Sequence, residues 1–572
     1  MPVVAVFLAA IAIFVLAFLS YGRLLARLFD LDATRLVPAA TREDGEDFVP
    51  TRPAYLLGQH FSAITAAGPI VGPIVAAIAF GWLPALLWVL VGAIFIGAMH
   101  DFSALIGSVR HQARSVAEIV REHMSQRAFI LFHSFVWLAL VYVIVAFTDI
   151  TARAFVDTLA LPDGRAVAGG GVAASSALYL GLGLLMGLAM RWLRLPLGLA
   201  TLIFLPLVGL AIWYGQRIPF TLPAIGGSAT RTWDYVILAY CGLASVLPVW
   251  ALLQPRGYLG GFFLYAVLGV ALVGILIGGG SIQYPAFLGF TSDKLGPLFP
   301  VLFITVACGA CSGFHGIVCS GTTSKQLARE TDAHLVGYGG MLLEGVVAIV
   351  SLVTVMMLVH GSPEAASDPN AIYARGVGNF LRVFGVDPSF AVAFGLLAFT
   401  TFVYDTLDVA TRLGRYMLQE LFGLKGRRGA WIATLATLFL PALFMSATLH
   451  DARGNVVPAW RIFWTIFGSS NQLLAALTLL GLAVWLLRTG RRVAAWLVAL
   501  PMLFMMTMTV WSLLRLAGDW IHRLPSGGRL DPVGPVAIVL LGLAGLLIVE
   551  AARALASAPA RDRTPGPSRV ST

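Results

Sequence analysis

The chain has 572 residues, 59% of them hydrophobic and only 12% charged, with a formal net charge of +10 and a mean hydropathy of +0.87. A soluble domain carries about 25% charged residues. Half that leaves too little polar surface to cover a globule of this length, which excludes a soluble multidomain enzyme, a disordered protein and a secreted disulfide scaffold. The composition is that of an all-α polytopic membrane protein, and the basic residues punctuate the apolar runs as positive-inside loops do, so no nucleic-acid partner is implied.

In chain order the apolar runs fall near 3–21, 54–80, 83–108, 129–148, 172–190, 196–214, 234–253, 259–280, 297–320, 336–359, 388–404, 430–448, 460–487, 494–513 and 534–552. Each approaches the ~20 residues that a bilayer core requires, which predicts about fifteen transmembrane helices. The first run precedes its basic residues, Arg23 and Arg27, as in a first span with its N-terminus outside rather than a cleaved signal peptide. Walking the loops from there puts the arginines of 22–53, 109–128 and 488–493, with Lys425, Arg427 and Arg428 of 405–429, on the cytoplasmic side. That predicts N-out, C-in. Residues 1–556 are expected to form the transmembrane domain, and the Pro/Ser/Arg-rich 557–572 a disordered cytoplasmic tail.

Three apolar runs contain interruptions. In AAGPIVGPIVAAI, the residues Gly68, Pro69, Gly72 and Pro73 read either as a glycine-rich crossing with a proline kink or as a discontinuous helix whose freed backbone groups meet substrate or ion. In CGACSGFHGIVCSGTTSK, glycines including Gly313 alternate with Ser312, His315, Ser320, Thr322 and Thr323, a density of small hydroxylated residues that a lipid-facing helix does not need. In FGSSNQLLAAL, Asn471 and its neighbours read as a cavity wall or as packing glue. Gly68, Pro69, Gly72, Pro73, Ser312, Gly313, Ser320, Thr322 and Asn471 are therefore the substrate-binding candidates, with the first two interruptions expected to face each other across a polar cavity.

Ionisable residues inside spans are costly and usually functional. His60, His100, Asp101 and His315 are coupling candidates because an intramembrane His–Asp group titrates near physiological pH; Glu344 also lies inside a span. His60, His315 and Asp101 are also metal-ligand candidates by residue type, without any HExxH or paired CxxC spacing to support them. Asp405, Asp408 and Arg412 share one helical face at i, i+3, i+7 and are expected to pair as a gating element at the inner mouth. The four cysteines all sit in or beside apolar stretches and read as packing residues. The absence of a Walker sequence argues against an ATP-driven pump, and no catalytic dyad stands at recognisable spacing.

The blocks GQHFSAITAAGPIVGP, GAMHDFSALI, SVLPVWALLQPRGYL, GPLFPVLFITVACGACSGFHGIVCSGTTSKQL, GYGGMLLEGVVAI, DVATRLGRYMLQEL and FGSSNQLLAAL, in that order over about residues 50–480, resemble the carbon starvation protein A family. The resemblance implies an inverted-repeat transporter core with discontinuous helices, in the amino acid–polyamine–organocation superfamily and in a bacterial inner membrane. It also implies import of small peptides or pyruvate-like carboxylates under carbon starvation. Proton or sodium coupling, no further cofactor and no obligate protein partner complete the expectation; a passive channel or an intramembrane metal-dependent enzyme is the alternative. Two departures stand out. Many members read Gly-His-His where this chain has Gly58-Gln59-His60, and Ala-Pro-Arg-Asp where it has Gln254-Pro255-Arg256-Gly257, the latter expected in a cytoplasmic loop.

Overall fold

The computed structural model describes residues 2–45, 48–161, 164–278, 280–450, 456–523 and 533–557, and it is nearly all helix. The tail expected from 557 onward lies, beyond Ser557, outside the described residues. In chain order the principal helices are α1 (Val3–Leu28), α2 (Pro53–Ile64), α3 (Gly68–Phe80), α4 (Trp82–Arg110), α5 (Val116–His123), α6 (Gln126–Val156), α7 (Gly169–Trp192) and α8 (Leu197–Gly215). They continue with α9 (Ala229–Val246), α10 (Leu253–Gly278), α11 (Leu298–Thr305), α12 (Gly313–Gly321), α13 (Glu330–Met356) and α14 (Pro369–Arg382). The last are α15 (Pro388–Phe422), α16 (Gly426–Ser446), α17 (Ala459–Arg488), α18 (Arg492–Arg523) and α19 (Val533–Ala556).

Among the described residues, twelve helices are long and apolar enough to cross a membrane, and thirteen if the bent pair α2–α3 forms one span. The remaining two of the fifteen expected runs correspond to α9, whose first turns carry Arg231 and Asp234, and to α11–α12, whose two pieces of 8 and 9 residues are each too short to cross alone. The apolar stretches of α13, α15 and α17 are 89–94% buried and that of α8 only 22%, so the first three form the centre and α8 the lipid-facing rim. Helices in lipid associate by close packing rather than by a hydrophobic drive, and here they touch through glycine. A Cβ on Gly376 would overlap Thr354, one on Gly395 would lie 2.8 Å from the backbone of Ala374, and one on Gly468 would lie 2.5 Å from the carbonyl of Ile304.

Two spans are broken. The axis turns by 48° between α2 and α3, at residues 65–67. Proline is favoured in the first turn of a helix, where its missing N–H is not needed, so Pro69 starts α3 rather than ending α2. The break therefore precedes Gly68–Pro73, and Pro73 lies inside α3. The second break separates α11 from α12 at residues 306–312. The third interruption is not a break, because α17 runs unbroken through Gly468–Gln472.

Two other boundaries correct the sequence reading. Helix α15 runs for 35 residues, so Asp405, Asp408 and Arg412, expected on a helical face on the cytoplasmic side of a span ending at 404, continue the same helix as the apolar run. Helix α10 starts at Leu253, so Arg256 stands in its first turn, fully buried, rather than in a loop at 254–258. In both places buried partners neutralise the charges that end the apolar run.

Candidate transport site

The two breaks meet in antiparallel register. A Cβ on Gly68 would overlap Cys308, one on Gly72 would lie 2.5 Å from the carbonyl of Thr305, and one on Gly309 would lie 3.5 Å from Pro69 Cα. The interruptions thus face each other as expected, but in direct contact rather than across a cavity. The N-terminus of α12 is closed as well. From the middle of α17, Asn471 Oδ1 accepts the backbone N–H of Phe314 at 2.9 Å and stands 3.2 Å from Ser312 Oγ, while Asn471 Nδ2 donates to Ser312 Oγ at 3.0 Å. Asn471 therefore supplies the acceptor that a helix N-terminus lacks. Gly313 packs on α17 without room for a Cβ, and Ser320 spends its hydroxyl on the carbonyl of Gly316 at 2.8 Å.

Beside this contact lies a buried polar group from four helices. His100 Nδ1 bonds Asp101 Oδ1 at 2.8 Å, and His315 Nδ1, from α12, bonds Asp101 Oδ2 at 2.9 Å. His315 Nε2 stands 3.1 Å from Glu344 Oε2 of α13, and all four side chains are fully buried. His60, from the last turns of α2, bonds Thr323 Oγ1 through Nδ1 at 2.9 Å. His60 Nε2, His100 Nε2 and Glu344 Oε1 are buried without a protein partner. Gly316 is required here because the imidazole of His100 rests on it, 2.9 Å from where a Cβ would be. His60, Asp101 and His315 do not bring three donor atoms within 4.8 Å of one another; His60 Nδ1 faces Thr323, while His315 lies between Asp101 and Glu344. His133, from α6, is apart from this group and bonds Glu420 of α15 at 2.8 Å.

A second buried group was not expected. Arg256 Nε pairs with Asp405 Oδ1 at 2.7 Å and Arg256 Nη1 pairs with Asp408 Oδ2, all three side chains being at most 2% exposed. Ser62 donates to Asp405 and Tyr240 to Asp408 Oδ2, the latter at 2.7 Å, while Tyr179 donates to the carbonyl of Arg256 at 2.7 Å. The gating set is corrected accordingly. Asp405 and Asp408 pair with Arg256, and Arg412 Nη2 donates to the carbonyls of Ala244 and Leu247 at 2.8 and 2.7 Å, at the end of α9. The sequence held one signal for Arg256, since Pro255 is a helix-start residue.

Arg256 and Asp405 line a narrow cavity with Gln59, His60, Ala63, Gly257, Thr322, Thr323 and Gln326. It has room for about one water molecule, less than a three-carbon acid occupies. Of the substrate candidates, Thr322 lines this cavity; of the coupling and gating candidates, His60 and Asp405 do. The two family departures also meet on its wall, where a Cβ on Gly257 would lie 3.6 Å from Gln59 Cγ.

Paired breaks in opposed spans, with buried ion pairs around a narrow cavity in a bundle of helices long and apolar enough to cross a membrane, are the architecture of a polytopic membrane transporter. The chain belongs to the carbon starvation protein CstA family, whose model matches residues 2–371 and 362–512. It is 32% identical to the peptide transporter CstA of Helicobacter pylori, over 88% of this chain and 80% of that one. It is 30% identical to the pyruvate/proton symporter BtsT of Escherichia coli, again over 88% and 80%. The peptide transporter CstA of Bacillus subtilis is 29% identical over 96% of each chain. Among solved structures, a manganese transporter of Eremococcus coleocola aligns with a TM-score of 0.47 at 12% identity, over 90% of this chain and 99% of that one.

Proposed function

We propose that this protein is an ion-coupled secondary transporter that imports a small carboxylate-bearing substrate, a short peptide or a pyruvate-like acid, across the bacterial inner membrane under carbon limitation. The observation that carries the reading is Arg256, a buried cation on the wall of a closed cavity, held by two carboxylates. A guanidinium matches a carboxylate with two parallel hydrogen bonds. Arg256 with Asp405 and Asp408 carries one negative charge in excess, so a proton or cation arriving with a substrate carboxylate offsets the charge that the substrate adds as Arg256 turns to it. Proton uptake is assigned to the neighbouring Asp101, His315, His100 and His60, with Glu344 beside them. The relatives named for peptide transport and for pyruvate/proton symport support both the substrate classes and the coupling.

The orientation N-out, C-in puts residues 254–257 and 321–326 of the cavity wall toward the cytoplasm, together with most of the arginine-rich loops. Uptake into proteoliposomes under an imposed pH or sodium gradient, with di- and tripeptides, pyruvate and lactate as competitors, tests the proposal. Accumulation against a concentration gradient is expected and excludes a channel; equilibration without accumulation under either gradient sinks the coupled reading. In that assay, Asp101→Asn and His315→Gln are expected to abolish gradient-driven accumulation while counterflow persists. Normal accumulation by both variants under a proton gradient would remove the coupling assignment.

A further inference from the structure

Outside the membrane-crossing helices, the connection from α4 through α5 to α6 brings together His111, Glu122 and His123. Each offers one donor atom, and the three atoms lie within 4.8 Å of one another, the single such set among the described residues. The two imidazoles face each other through Nε2, 2.9 Å apart. His111 Nδ1 lies 2.7 Å from the carbonyl of Gly107, to which it can only donate. That bond puts the proton of the neutral ring on Nδ1 and leaves the Nε2 lone pair directed at His123. A metal-bound histidine is held in the same way, its second nitrogen donating to a carbonyl.

The His111 ring and the His123 backbone are further fixed. His111 packs edge-on against Trp485 of α17 at 5.2 Å, and the carbonyl of His123 accepts from Arg488 at 2.8 Å. Two zinc–nitrogen bonds of about 2.0–2.1 Å at a tetrahedral angle place the nitrogens about 3.3 Å apart, within a few tenths of an ångström of the spacing found. Of the nearby cations, Arg110 pairs with Glu330 at 2.8 Å, while Arg114 stands 3.8 Å from Glu122 in an exposed pair of the kind worth little, which an ion at the site would have to displace.

We propose that His111, Glu122 and His123 form a binding site for a divalent transition-metal ion of the zinc class, with one coordination position left open to water. Two nitrogens and a carboxylate suit zinc better than magnesium or calcium, which prefer all-oxygen sets. The ion would clip the end of α4, the helix that carries His100 and Asp101, to α5, which packs on α17.

The test uses the full-length protein, purified in detergent with a tag other than polyhistidine, stripped by chelator and dialysed against Zn2+. Metal content is read by mass spectrometry and affinity by competition with a chromophoric chelator. One zinc per chain is expected. His111→Gln and His123→Gln should each lower affinity by at least about tenfold, the scale of losing even an outer-shell partner of a ligand, and Glu122→Gln, a change at an exposed side chain, should also weaken it. The Co2+-loaded protein should show the visible absorption of a tetrahedral site, absent in His123→Gln. Gel filtration identifies any variant that misfolds, in which case Glu122→Gln and the cobalt spectrum decide. Absence of stoichiometric zinc in the parent protein, or zinc retained undiminished in folded His111→Gln and His123→Gln, would overturn the proposal.

Discussion

Asn471 caps a helix to which it does not belong: its amide oxygen, in the middle of α17, accepts the N–H of Phe314 in the first turn of α12 at 2.9 Å. The broken span is thereby completed by a side chain from a continuous one. Leaving a buried donor unpaired costs about 1–3 kcal/mol, so Asn471→Leu should lower thermal stability by that order in detergent and depress uptake. Asn471→Asp keeps an acceptor for Phe314 and should retain more of the fold. Equal melting of Asn471→Leu and the parent would show that the cap is dispensable.

The crossing at the two breaks predicts a difference between neighbouring glycines. Gly68→Ala meets the side chain of Cys308, whereas Gly72→Ala meets the backbone of Thr305 and Val306. Overpacking of this kind costs about 1–3 kcal/mol. The Gly68→Ala loss should be relieved by adding Cys308→Gly, and the Gly72→Ala loss should not. Melting curves of the single and double variants read this directly.

Arg256 predicts an asymmetric mutational series. Arg256→Met strands the carboxylates of Asp405 and Asp408 in a buried site. Removing one partner of a buried pair costs about 3–5 kcal/mol. Adding Asp405→Asn and Asp408→Asn to Arg256→Met should recover most of that stability without recovering uptake. A triple variant as unstable as the single one would show that the guanidinium contributes through packing rather than charge.

Asp387 offers a pH test outside the membrane. Its side chain accepts from the N–H groups of Ser389 and Phe390 at the start of α15 and pairs with Arg165 at 2.6 Å. The bond from Arg165 and these backbone donors hold its carboxyl below the ordinary value of 3.8. The charged form is thus favoured by folding. Its contribution is present above pH 3.8 and is lost as pH falls through the lowered folded value. Asp387→Asn, which keeps the cap but not the charge, should melt below the parent at neutral pH and approach it as the buffer is acidified. A melting difference that stays constant down to strongly acid pH would contradict this.

Much of this arrangement was legible in the sequence. The apolar runs locate the helices, and glycine, proline and hydroxyl density marks the two spans that break together with α17, which packs against them unbroken. Charge hid the rest. A hydropathy reading stops at Asp405 because it weighs each residue alone, whereas α15 continues because Arg256, about 150 residues away in sequence, neutralises it. The same reasoning hid Arg256 itself, which looks like a loop residue until its two aspartates are found. Asn471 was visible as a polar residue in an apolar run, but its partner lies on another helix, and no local pattern encodes that contact.

The unbroken length of α15 makes it a pointer. Asp405 on the cavity wall and Glu420, bonded to His133, stand about 22 Å apart along one rigid axis at 1.5 Å per residue. A tilt that opens the cavity sweeps the far end through a larger arc, so a spectroscopic label near Glu420, remote from substrate, would report each opening of the centre from the rim of the molecule.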